Sequence, residues 1–231
     1  MHKNTKVLFF GRKNCLYSKR MIKELKKFCN KINIVLSNKP NEKISKKILK
    51  WKGEYIFCFR SYFLLKETFL KKASIAAINF HPGPPEYRGI GCVNFSILNS
   101  EKFYGVTSHL MSKNIDKGKI IDVKRFKIRK NDNISSILTQ SYKLQLIQFK
   151  KIIKKLCLDP NNLTEMIKNS NKEKWSKKIY TRSNLNNLYK MNIGYKIKIS
   201  NIQTYLKSTM TKKFKPYIEL NKKKYFLLNE K

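Results

Sequence analysis

The segment INFHPGPPEYRGIG, residues 78–91, sets an amide and an imidazole two positions apart where a short apolar run ends. Side chains alternate along an extended chain, so Asn79 and His81 face the same side. Pro82, Pro84 and Pro85 then stiffen the loop and leave it few backbone donors. Further on, Asp116 stands in NIDKGKII, a turn whose Gly118 permits tight reversal. With 14 acidic residues against 52 basic ones, an Asp placed there stands out. An amide, an imidazole and a carboxylate suit acyl transfer to an amine. The amide N–H and an imidazolium donate to the oxyanion of a tetrahedral intermediate. The carboxylate keeps the imidazole protonated and helps take the proton of the attacking amine. No Ser or Cys nucleophile is needed when donor and acceptor are bound side by side. An Asn-x-His before prolines also serves as a turn cap or a satisfied core pair, and these residues alone leave both readings open.

The elements that would position such a site can be read from periodicity. VLFF (7–10), INIVLS (32–37), YIFCF (55–59) and IAAINF (75–80) read as strands, separated by a helical pattern over 16–28 and short helices at 42–51 and 62–72. That alternation predicts a parallel sheet with right-handed crossovers. In such a sheet, ligands bind at the carboxyl ends of the strands, which is where Asn79 and His81 fall. YGVTSHLM (104–111) and IIDVKRFKI (120–128) alternate as two further strands, and His109 within the first reads as a hydrogen-bonded structural histidine. Asn133 reads as the N-cap of a long helix to about Leu156, with Ile134, Ile137, Leu138, Leu144, Ile147, Ile152 and Leu156 on its core side. Asp159-Pro160 ends it. YIEL-NKKK-YFLL near the C-terminus predicts a β-hairpin at about 214–229, which needs a partner because an isolated hairpin is marginal in water. That partner is its own domain or a second subunit.

Composition narrows the class. The chain has 231 residues, 41% hydrophobic, enough for one α/β domain and a small appendage. Its formal charge of +38 attracts polyanions, but the lysines are scattered rather than gathered into one arm or stripe. Five unevenly spaced cysteines without C-x-x-C spacing, and three histidines, give no support for a metal site or a disulfide framework. The N-terminal apolar run of four residues is too short for a signal sequence or membrane span, so a cytoplasmic location without membrane association is expected. A single glycine, Gly11, follows the first strand, which argues against a dinucleotide cofactor there.

NFHPGPPEYRGIGCVNF (79–95), followed by YGVTSHLMSKNIDKGKII (104–121), resembles the folate-dependent formyltransferase family. The matching elements are Asn79-x-His81-Pro82, Tyr87-Arg88-Gly89, Asn94-Phe95 and Asp116-x-Gly118. The resemblance implies a Rossmann-like α/β fold: a mostly parallel sheet with helices on both faces, plus a small C-terminal extension bearing a β-hairpin. Residues 1–160 would form the catalytic domain and 161–231 the extension. It implies Asn79, His81 and Asp116 as the catalytic trio and 10-formyltetrahydrofolate as formyl donor, with no metal. The folate is expected against Tyr62, Leu64 and the stretch Ser112, Ile115 and Asp116.

For the acceptor amine, two observations favour a nucleotide-linked sugar over methionyl-tRNA. About 70 residues remain after Asp159, little for the second domain of the tRNA enzymes. The P-G-P-P-E-Y-R-G-I-G loop and the W-x-x-x-x-Y-T-R stretch resemble sugar N-formyltransferases of surface-polysaccharide (O-antigen) pathways. The implied acceptor is a dTDP-linked amino sugar, dTDP-4-amino-4,6-dideoxyglucose first. Tyr87, Asn94, Trp175, Tyr180 and Arg182 are candidates to touch it, and Arg88 to meet its pyrophosphate. The likeness also implies a homodimer through the terminal hairpin. The family's second arginine after the Y-R-G loop is absent, Ile90-Gly91-Cys92 standing there instead. The rivals are a methionyl-tRNA formyltransferase-like enzyme and a non-catalytic RNA-binding α/β protein.

Overall fold

The computed structural model describes residues 3–191 and 199–227. Its centre is a six-stranded sheet in the order β2-β1-β3-β4-β6-β7. The first half follows the expected alternation: β1 (Lys6–Arg12), α1 (Leu16–Leu25), β2 (Lys31–Ser37), α2 (Lys46–Leu49), β3 (Gly53–Phe59), α3 (Glu67–Leu70) and β4 (Ala73–His81). These four strands are parallel. A two-residue strand β5 (Arg88–Gly89) and α4 (Cys92–Leu98) follow, then β6 (Phe103–Leu110) and β7 (Ile120–Lys127), which add antiparallel to β4 and to each other. α5 (Ile134–Leu158) returns across the sheet.

The strands carry apolar residues on both faces because both are covered. On one side, Val7, Phe9, Phe57, Ile78 and Phe80 pack with Met21 and Leu25 of α1 and Phe149, Ile152 and Leu156 of α5. Phe149 meets the ring edges of Phe9, Phe57 and Phe80. On the other side, Leu8, Phe10, Ile56 and Cys58 pack with Trp51 and Phe69. Each fully buried aromatic or aliphatic side chain contributes roughly 1.5–3 kcal/mol.

Three local expectations need correction. The helices expected over 42–51 and 62–72 are single turns, α2 and α3. Residues 60–65 stay outside any helix, with the Tyr62 N–H held by the Ser37 hydroxyl and the Phe63 N–H by the Ser61 hydroxyl. On α5, Ile147 is 52% exposed, whereas Gln145 and Gln148 are buried. Gln145 donates to the Phe80 carbonyl and Gln148 to that of Asp122, so backbone acceptors at the sheet drew polar residues inward where the apolar pattern pointed elsewhere. The N-cap is as expected: Asn133 and Ser136 form a reciprocal capping box.

The C-terminal part comprises α6 (Asn162–Asn169), β8 (Ile179–Tyr180), α7 (Arg182–Tyr189), β9 (Lys190–Met191), α8 (Ile199–Thr209), β10 (Tyr217–Leu220) and β11 (Lys223–Phe226). β8 pairs with β5, and Tyr180 stacks on Phe95 and Tyr87. β10 and β11 form the expected hairpin, joined by β9; the positions expected beyond Leu227 lie outside the described residues. Among the described residues, no helix is long and apolar enough to cross a membrane, and the five cysteines are free thiols.

Candidate active site

β4 ends at His81, and its antiparallel register with β6 sets Asn79 opposite His109 and His81 opposite Thr107. The proline loop is fixed from β6, where the Tyr104 hydroxyl donates to the Pro82 carbonyl and the Thr107 hydroxyl to that of Gly83, each at 2.8 Å. Asp116 sits in the loop between β6 and β7 with a left-handed backbone, φ 45°. Gly118 permits the close pass that returns this loop, because a Cβ there would collide with the Leu110 carbonyl oxygen.

The outcome is a polar cluster in which His81, His109 and Asp116 are buried and Asn79 is part-buried. Asp116 Oδ2 lies 3.3 Å from His81 Nδ1 and accepts the Gly89 N–H at 3.1 Å. Its Oδ1 lies 3.4 Å from His109 Nε2 and from Asn79 Nδ2. Asn79 Nδ2 is 3.1 Å from His109 Nε2, and His109 Nδ1 donates to the Leu110 carbonyl at 2.8 Å. His81 Nε2 faces the Tyr87 carbonyl at 2.8 Å and the Cys92 thiol at 3.7 Å. With an acceptor at each nitrogen, His81 is an imidazolium. Burial acts to lower its pKa, but the Asp116 charge, aided by Cys92 and the Tyr87 carbonyl, raises it to about 9. Burial likewise opposes ionisation of Asp116, yet the His81 charge, His109 and the Gly89 N–H hold its carboxyl far below the ordinary range.

The sequence-predicted residues divide between this cluster and its supports. Trp175 is brought directly onto it: its ring packs edge-on against His81 and His109, and its indole N–H donates to the Gly118 carbonyl at 2.7 Å. Arg88, expected at a pyrophosphate, is 7% exposed and spends its fork on three backbone carbonyls: Asp116 (2.6 Å), Ile115 (2.9 Å) and Ser176 (3.0 Å). It thereby ties the Asp116 loop to the segment carrying Trp175. Arg125 adds a second strap, from Glu173 to Glu86 of the proline loop. Tyr87 is buried, with its hydroxyl donating to Glu101. The Asn94 amide donates to Tyr189 and to the Ser208 carbonyl, so it faces α7 and α8. Tyr180 is buried in the aromatic stack, and Arg182 is exposed at the start of α7. Tyr62 and Leu64 line a groove of about 750 Å³ with Phe63, Leu65, Lys66 and Lys72; Asn79, His81 and Asp116 do not line it. Ser112 closes its own turn onto the Asn114 carbonyl, and Ile115 is exposed.

His109 is the participant that sequence reading left out. It is buried and hydrogen-bonded as expected, but its partners are Asn79 and Asp116. The alternation of YGVTSHLM placed it on the inner face; what was missing is the β4–β6 register that sets it across from Asn79.

Residues 5–149 match the model of the formyl transferase family. Among curated relatives, the chain is 37% identical over 89 residues to the bifunctional polymyxin resistance protein ArnA of Wigglesworthia glossinidia brevipalpis, covering 38% of this chain and 14% of that protein. It is 31% identical over 94 residues to the GDP-perosamine N-formyltransferase of Brucella melitensis, covering 40% of this chain and 36% of that one. The chain thus matches well under half the length of these relatives. Among solved structures, a 4-N formyltransferase from Francisella tularensis superposes with TM-score 0.74 at 18% identity, covering 97% of each chain. An N-formyltransferase from Helicobacter canadensis, described in complex with folinic acid and dTDP-3-aminofucose, superposes with TM-score 0.65 at 19% identity, covering 96% of this chain and 86% of that one. Such structural likeness speaks for the fold; the family match spans most of the chain and contains Asn79, His81 and Asp116, so this chain belongs to the formyl transferase family.

Proposed function

We propose that the chain is an N-formyltransferase that moves a formyl group from 10-formyltetrahydrofolate to the amine of a nucleotide-linked amino sugar, dTDP-4-amino-4,6-dideoxyglucose first, in surface-polysaccharide (O-antigen) synthesis. The observation that carries this reading is the cluster of part-buried Asn79 with buried, charged His81 and Asp116 at the carboxyl end of β4. A sugar acceptor is supported by the GDP-perosamine N-formyltransferase relative and by structural neighbours described as sugar N-formyltransferases. Residues 1–160 carry the chemistry in this reading; the extension, 161–231, supplies Trp175 and the hairpin through which a homodimer forms. The location is cytoplasmic.

The groove at Tyr62 and Leu64 fits a formyl-folate. Its lining is largely apolar, which suits a flat ring system, and Lys43, Lys66 and Lys72, which outnumber Glu42 in that lining, suit the carboxylates of a glutamate tail. The segment that forms it leaves β3 at Phe59, the strand partner of Phe80, and so starts beside the trio. Ser112 and Ile115 stand on the opposite flank, in the loop that delivers Asp116.

The donor substrate supplies an activated formyl carbon; the chain's residues manage charge and protons around it. Asn79 donates to the developing oxyanion. Its 3.4 Å contact with Asp116 is the longest it makes and the one a substrate oxygen replaces. His81 has both N–H groups committed to Asp116 and the Tyr87 carbonyl, so it acts chiefly through its positive charge, which stabilises the same oxyanion. Asp116, held in place by Gly89 and by the Arg88 grip on its loop, accepts a hydrogen bond from the attacking amine and steadies the positive charge that forms on it. As the tetrahedral intermediate collapses, the bond from the formyl carbon to the folate nitrogen breaks, the amine's proton passes to that nitrogen, and tetrahydrofolate leaves. Trp175 shields the cluster from water.

The test is release of tetrahydrofolate from 10-formyltetrahydrofolate with dTDP- and UDP-linked amino sugars and charged initiator tRNA offered separately. Turnover with an amino sugar is expected. Turnover with the tRNA alone would overturn the acceptor, and tight, salt-sensitive RNA binding without any turnover would overturn the enzyme reading.

A further inference from the structure

Arg12 and Arg60 stand side by side at the sheet edge that carries the active site. Phe10 is the strand partner of Cys58, and Cys58 of Asn79. Arg12 and His81 end their strands two residues later, and Arg60 follows directly on Phe59. With strands about 4.8 Å apart, Arg12 is two strand spacings from His81, on the order of 10 Å. Neither arginine has a carboxylate within ion-pair distance among the described residues.

Both guanidinium groups are nevertheless fixed. The Arg12 guanidinium lies 4.0 Å over the Tyr62 ring, with its Nε donating to the Arg60 carbonyl at 3.1 Å. That of Arg60 lies 3.9 Å over the Tyr142 ring, with Nη1 3.3 Å from the Cys15 thiol. Stacking occupies a face of each guanidinium, and beyond the Arg12 Nε and Arg60 Nη1 bonds their edges still offer N–H donors to an anion. Cys15 stands at the N-cap of the ten-residue α1, and no acidic residue stands in its first turn. The positive end of that helix therefore adds to the same field. Half-burial, and then the charge of Arg60, lower the pKa of Arg12. Two held, like-charged groups with no counter-charge are costly unless an anion completes them.

We propose that Arg12 and Arg60 form a phosphoryl-binding site that takes the pyrophosphate of the nucleotide-linked acceptor. This rests on the amino-sugar reading: one hexose ring separates a phosphate on the anomeric carbon from an amine across the ring, which is comparable to the two strand spacings between Arg12 and His81. It also answers where the pyrophosphate goes when Arg88 is committed to the Asp116 loop.

The test is calorimetric titration of the full chain with inorganic pyrophosphate and with dTDP, on the wild type, Arg12→Gln, Arg60→Gln and Arg60→Lys. Each Gln variant is expected to bind about 10–100-fold more weakly, the loss of a charged hydrogen-bonding partner, with Arg60→Lys in between. Melting temperatures should change little, the lost ring stacking being offset by relief of the repulsion between the two charges. In turnover with Arg60→Gln, whose side chain does not touch the Tyr62 ring, KM for the amino sugar should rise while KM for 10-formyltetrahydrofolate stays. Unchanged anion affinity in both Gln variants overturns the site, and so does a wild type that binds neither probe. A KM rise confined to the formyl-folate overturns it in favour of the glutamate tail. If pyrophosphate binding falls as expected but no amino sugar is turned over, the anion site stands and the acceptor reading fails.

Discussion

Asp116→Asn separates charge from shape at the centre of the site. The amide keeps the volume but removes the charge that holds His81 protonated. In the folded protein His81 titrates at about 9 against an ordinary 6.5. At 1.36 kcal/mol per unit, that difference is worth about 3 kcal/mol of folded-state stability. The folded-state value is raised, so this stability is complete below pH 6.5 and is lost as pH climbs through about 9. Without the carboxylate, burial dominates, His81 becomes neutral near pH 7, and the contribution disappears. Urea unfolding of both proteins across pH 6 to 10 measures the effect. The wild type should lead by about 3 kcal/mol at the acid end, with the lead narrowing steeply between pH 7 and 9.5. A lead that is constant across the range would refute the reasoning, since the pair would then not be an ion pair in which His81 carries the proton.

Asn79→Ala should lower formyl transfer about 10²–10³-fold with little change in melting temperature, because it removes an oxyanion donor that is only part-buried; near-normal turnover would remove Asn79 from the chemistry. Gly118→Ala should cost about 3 kcal/mol and displace the Asp116 loop, read by urea unfolding and by loss of the raised His81 pKa in NMR titration. Trp175→Ala should cost about 2 kcal/mol, less than a fully buried Trp, and reduce turnover by opening the cluster to water. Tyr225 and Phe226 on β11 are each 55% exposed; the double variant Tyr225→Lys/Phe226→Lys should convert the proposed dimer to a monomer by light scattering, and an unchanged mass would remove the hairpin as the interface.

Much of this protein is determined locally. The alternation of apolar strands with helical segments sufficed for the four parallel strands, and Asn133 with Ser136 encoded the start of α5, because period and capping are properties of neighbouring residues. Asn79, His81 and Asp116 stood out as candidates for the same reason, since an Asn-x-His before a proline loop and an Asp-x-Gly turn are short-range signals, and the structure brings the three together. What the chain could not show locally is which partners each side chain finds across the sheet. His109 enters the cluster only because antiparallel pairing sets it opposite Asn79, and Arg88 meets the carbonyls at 115, 116 and 176 only through the folding of three distant segments. Gln145 and Gln148 turn inward because backbone acceptors at positions 80 and 122 wait there. Arg12 and Arg60 become neighbours only through the β1–β3 register. Sequence decides where a strand or turn forms; tertiary packing decides which buried polar atoms must satisfy one another, because a buried donor left without a partner costs about 1–3 kcal/mol.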